Sequence, residues 1–179
     1  MSRYSDDYDG DGMPAALWEA NLERAIKGKR GQQVLRDLRD ALTALPQPRL
    51  IEGALCTVGP LQRMAGASAN WLSPAEIGAK VEEQGEGVCA VGAYLWWRNL
   101  RAGMTPEDAF AALPTLLDEA SDLWETADLA RRAGVTLTLA YDLAYRNDET
   151  FGHLSPEERH ARFIEWIDSK LSEAGHVVR

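Results

Sequence analysis

The sequence has two cysteines, Cys56 and Cys89, and three histidines, His153, His160 and His176. Two thiols are too few for a disulfide scaffold or a cysteine zinc site, and such sparing use suits a reduced, cytoplasmic setting. Few imidazoles leave little with which to activate a nucleophile. No H-E-x-x-H, G-x-S-x-G or C-x-x-C spacing occurs, so no catalytic residues and no cofactor are expected. Long apolar runs are missing as well: Val88 to Trp97 is about half of the ~20 residues that cross a bilayer. The opening MSRYSDDYDGDG has no apolar centre, which excludes a secretory leader from the expectations.

What is present is the composition of a globular domain, 179 residues with 45% apolar and 26% charged. The net charge of −9 is uneven: residues 13–49 carry more bases than acids, and residues 103–134 carry seven acids against two bases. Residues 1–12 have no aliphatic side chain to bury and are expected to form a flexible acidic tail, with 13–179 as a single helical domain.

Helical periodicity dominates that domain. Leu17, Trp18, Leu22 and Ile26 predict a first helix, and the glycines of GKRG interrupt it. Val34, Leu35, Leu38, Leu42 and Leu45 predict a second over about 31–44, ended by Pro46 and Pro48. Three stretches share a start signal: Ser73-Pro74-Ala75-Glu76, Thr105-Pro106-Glu107-Asp108 and Ser155-Pro156-Glu157-Glu158. In each, a hydroxyl caps the first turn, proline takes the first helical position and an acid follows. They predict helices over 74–84, 106–113 and 156–173. Others are expected over 88–102, 115–133 and from Val135 to Tyr145, stopped in two cases by Gly103 and Gly134. The fold class is therefore all-α, a bundle of about seven or eight helices with at most one short β element near 49–58. The apolar VCAVGAYLWW reads as its central helix.

Four groups of residues bear on function. Asp7, Asp9, Asp11 and Gly12 match the first half of a calcium loop, but the twelfth position is Trp18, so these are incomplete metal ligands in a solvated tail. Lys27, Lys29, Arg30, Arg36 and Arg39 make a basic stretch with Asp37 as its single acid. It could contact a phosphate or an acidic protein, or simply be a solvated helix face. Among six tryptophans, Trp96, Trp97 and Trp124 are candidates for an exposed binding patch, although most tryptophans fill cores. Finally, 126–145 has the cadence of a helix-turn-helix. Thr136, Thr138, Tyr141 and Arg146 would be its nucleic-acid contacts, but Arg146 is the one cation nearby, where phosphate binding needs several. His160 is expected on an exposed helical turn. Asn147, Asp148 and Glu149 are expected to cap a helix end rather than to bind metal.

The stretches GKRGQ at 28–32, GVCAVGA at 87–93, NDE at 147–149 and PEER at 156–159 resemble a family of small proteins encoded by bacteriophages and prophages. The resemblance spans Trp18–Ile51, Gly87–Leu95 and Ala144–Ile167, and the stretch from Thr57 to Glu86 is longer than the family's usual link. It implies a phage origin and a bacterial cytoplasm, and it carries no activity. The expected function is a non-enzymatic accessory protein that binds a host or phage protein, with a nucleic-acid-binding regulator as the alternative and an enzyme or metal protein last.

Overall fold

The structure, a computed structural model, describes residues 15–51, 56–57, 87–113 and 122–175. Among them are seven α-helices: α1 (Ala15–Lys27), α2 (Lys29–Ala44), α3 (Ala90–Arg101), α4 (Pro106–Ala111), α5 (Asp122–Ala133), α6 (Leu137–Tyr145) and α7 (Pro156–Gly175). The expected all-α class is what forms. The helix expected over 74–84, the first part of that over 115–133 and the tail with Asp7, Asp9 and Asp11 lie outside the described residues.

Among the described residues, extended structure is confined to two-residue strands, β1 (Cys56–Thr57) and β2 (Gly87–Val88), paired antiparallel with Cys56 opposite Val88, and to a bridge from Leu50 to Val88. Val88 thus belongs to a strand and not to the helix expected to start there. Cys89 is the N-cap of α3, its Sγ accepting from the Gly92 amide at 3.4 Å.

The core follows the apolar stripes. Leu35, Leu38 and Leu42 of α2 meet Phe163 and Ile167 of α7, with Leu139 and Leu143 of α6 in the same cluster. Each such aliphatic side chain taken from water contributes about 1.5–3 kcal/mol. Helix α3 is buried from Ala90 to Trp96 and packs on α2, α4, α5 and α6, the surroundings its all-round apolar sequence requires. Leu17 departs from its stripe and is exposed.

Gly31 sets the approach of α1 to α2. A Cβ there would stand 1.8 Å from the carbonyl oxygen of Ala25, so the backbones meet at a distance that a side chain forbids. Gln32, beside it and buried, donates to the carbonyl of Ile26 at 2.9 Å.

Two polar side chains lace the far end of the molecule. After α6 the chain runs into a π-helical turn, Arg146–Thr150, which places Asn147 in the interior. Its amide donates to the carbonyl of Ile51 at 2.7 Å, and its oxygen accepts from the Ala90 amide at 3.2 Å. Arg159 is 2% exposed and donates to the carbonyls of Leu50, Phe151, Gly152 and Leu154 at 2.9–3.2 Å. His160 is buried too, its Nε2 2.9 Å from the carbonyl oxygen of Leu42. It was expected on an exposed turn, but it lies three residues before Phe163 on the inward stripe of α7 and is carried inside.

Candidate interaction surface

The basic stretch at 27–39 does not stay together as one face, because successive residues of a helix point in different directions. Lys27 pairs with Glu23 along α1, and Arg39 pairs with Asp168 across to α7. Lys29 and Arg36, seven residues apart and so on one side of α2, are exposed and in no ion pair among the described residues. Arg30 turns the other way, toward the corner between α5 and α6.

That corner has the geometry the sequence suggested. Gly134 takes a φ of +68°, the Val135 amide donates to the carbonyl of Ala130 at 3.0 Å and the Gly134 amide to that of Arg131 at 3.2 Å, which together close a Schellman motif. Two carbonyls near the end are left to accept elsewhere. Arg98 of α3 donates to the carbonyl of Arg132 at 2.8 Å, and Arg30 donates to that of Gly134 at 2.6 Å. Their positive charges sit at the negative end of the α5 dipole, which favours them there.

The result is a convergence that no single segment encodes. A Cβ on Gly134 would be 3.3 Å from Nη1 of Arg98 and 3.7 Å from Nη2 of Arg30, so both guanidinium groups reach the same point. Arg101, one turn beyond Arg98, holds Asp37 of α2 at 3.1 Å, and Arg131 and Arg132 are exposed on the last turn of α5. The buried phenol of Tyr94 registers the gathering. Burial pushes its pKa up, and Arg98, Arg30 and Arg101 pull it down while Asp37 opposes them. Arg98, Arg101, Arg131 and Arg132 were not among the expected site residues. Their signal in the sequence is basic residues closing a helix just ahead of Gly103 and Gly134.

The other candidates take different places. Trp96 is 2% exposed, stacked on Phe110 with ring centroids 5.0 Å apart and donating from Nε1 to the carbonyl of Pro106 at 3.3 Å. It serves the core and is removed from the candidate patch, since its side of α3 faces α4. Trp97 is half-buried, and the side chain of Trp124 lies outside the described residues.

The groove-reading set is corrected as well. Helix α6 turns Leu139, Ala140, Tyr141, Asp142 and Leu143 inward, which removes the stripe that base contacts need. Tyr141 packs edge-on against Trp18 at 5.6 Å. Thr136 is the N-cap of α6, accepting from the Leu139 amide at 3.2 Å, and Thr138 is half-buried. Arg146 pairs with buried Asp142 at 2.8 Å while lying 4.6 Å from the ring centroid of Trp166. Burial raises the Asp142 carboxyl above the ordinary aspartate value, with Arg146 working against it.

Asp148 accepts from the amide of Asn147 at 2.7 Å, and His153 is exposed. Among the described residues no group of three or more His, Cys, Asp or Glu side chains could hold a metal, and no helix is long and apolar enough to cross a membrane. A scan of protein-family models and searches of curated proteins and of solved structures returned no match to this chain.

Proposed function

We propose that this chain is a non-enzymatic binding protein that docks an acidic surface of a partner protein through the arginine face, in the manner of a phage-type accessory factor acting on a host protein. The observation that carries the reading is the meeting of Arg30 and Arg98 at Gly134, with Arg101 one turn beyond Arg98 on α3. Arginine is the cation best suited to such contacts, because its planar fork matches carboxylates and is weakly hydrated. Against a net charge of −9, a locally positive face also orients an acidic partner as it approaches.

The test is titration of the protein with an acidic polypeptide such as polyglutamate at ~50 mM and ~200 mM salt, beside a double variant, Arg30→Gln with Arg98→Gln. Glutamine removes the charge and keeps N–H donors, and circular dichroism of the variant checks that the fold survives. Binding that weakens with salt and is lost in the variant supports docking. Binding equal in variant and parent refutes it.

A further inference from the structure

Building on the docking reading, we infer that Arg30 and Arg98 form a clamp for a phosphate monoester carried by the docked partner, a phosphorylated side chain within an acidic segment. Both guanidinium groups are anchored by neutral carbonyls, those of Gly134 and Arg132, and neither is in an ion pair among the described residues. No carboxylate among the described residues therefore pairs with either where they converge, and each retains further N–H donors beyond the one that reaches α5.

The chemistry of the anion follows from that arrangement. A carboxylate carries one charge and presents one planar pair of oxygens, which a single guanidinium fork satisfies. A phosphate monoester carries about −1.5 to −2 at neutral pH and has three strong acceptor oxygens, enough to face two forks and neutralise both. A phosphodiester carries a single charge, and a nucleic acid brings many of them toward a protein whose net charge is −9. The monoester suits a pair of arginines on an otherwise acidic molecule.

Anchoring also sets the geometry before the ligand arrives. Arg30 is drawn to Gly134 from the first turn of α2, and Arg98 from α3, so less side-chain freedom remains to be lost on binding.

Calorimetric titration with an acidic peptide containing one phosphoserine, with the same peptide carrying glutamate there, and with a duplex oligonucleotide separates the possibilities. The parent protein is expected to bind the phosphopeptide roughly tenfold more tightly than the glutamate peptide. In Arg30→Lys with Arg98→Lys the charge stays and the forks are lost, so that preference is expected to vanish while the glutamate peptide still binds.

Equal affinity of the parent for both peptides overturns the clamp and leaves docking intact. Failure of the parent to bind either peptide at ~50 mM salt overturns both readings. An oligonucleotide bound as tightly as the phosphopeptide overturns the commitment to a monoester. Because the lysine variant also loosens the end of α5, the parent is in addition titrated with inorganic phosphate and followed by the arginine Nε–H resonances. Shifts of two such resonances that are missing in Arg30→Lys and Arg98→Lys respectively support the clamp, and unshifted resonances overturn it.

Discussion

Arg30 donates to the carbonyl of Gly134 at 2.6 Å, and this bond ties the start of α2 to the corner that follows α5 across 104 residues of sequence. Gly134 is there for its left-handed φ of +68°, and Arg98 crowds the place where a Cβ would go. Gly134→Ala is expected to destabilise the protein by about 1–2 kcal/mol from backbone strain alone. Urea denaturation measures the loss, and an unchanged midpoint would show that the corner opens at little cost.

Gly31→Ala is a harsher change. The new methyl meets the Ala25 carbonyl at 1.8 Å, and the obstacle is backbone rather than a flexible side chain. Separation of α1 from α2 is expected to cost about 3 kcal/mol, the upper end for overpacking. Thermal unfolding of this variant beside Gly28→Ala, whose added methyl is less crowded at 3.2 Å, makes the comparison.

Arg159→Ala removes four donations from a buried place. Carbonyls of Leu50, Phe151, Gly152 and Leu154 lose a partner, and each buried acceptor left alone costs about 1–3 kcal/mol. A loss of at least ~3 kcal/mol is expected after water satisfies some of them. Arg159→Lys should recover part of it, since an ammonium has fewer donors and no fork. Chemical denaturation of both variants decides the order.

Asp142 gives a pH signature. Its native pKa lies above the ordinary value of 3.8, so the folded protein holds this proton more firmly than the unfolded chain. Its contribution to stability is therefore fully present below the unfolded value and is lost as pH rises through the native one. Relative to Asp142→Asn, the parent is expected to lose stability from pH ~4 upward, levelling once the carboxylate is ionised. A parallel or opposite trend in urea midpoints measured across that window refutes the assignment.

Ser155 and Glu158 form a reciprocal cap at the start of α7: the Ser155 amide donates to Glu158 at 3.0 Å, and the Glu158 amide to the serine Oγ at 3.3 Å. Ser155→Ala is expected to cost about 1 kcal/mol. The bonds to Ser155 hold the Glu158 pKa below its ordinary value, so their contribution is present above that value and fades as acid titrates it. Helix melting in Ser155→Ala across pH checks both.

The helices are legible because their signals are local. Thr105 and Ser155 start α4 and α7 where hydroxyl, proline and acid coincide, and Gly134 stops α5 through its own backbone freedom. Thr136 is the instructive failure. Leu139 stands where a capping box has an acid, so a threonine that caps α6 reads as a groove contact. His160 is misread through its polarity, although it falls within a turn of Phe163 on the buried side of α7. The arginine face is illegible for another reason: Arg30 and Arg98 come from two helices and meet at the end of a third, so their meeting depends on how those helices cross.

The interior Asn147 and Arg159 bear on the order of events during synthesis. Ile51 and Leu50 find their partners 96 and 109 residues later, so the early chain leaves the ribosome with two carbonyls waiting for side chains not yet made. A nascent chain halted before Asn147 holds α2 and α3 without the stitch between Ile51 and Ala90. Closure of this end is thereby a late, long-range step, and the second half of the protein acts as the lock on the first.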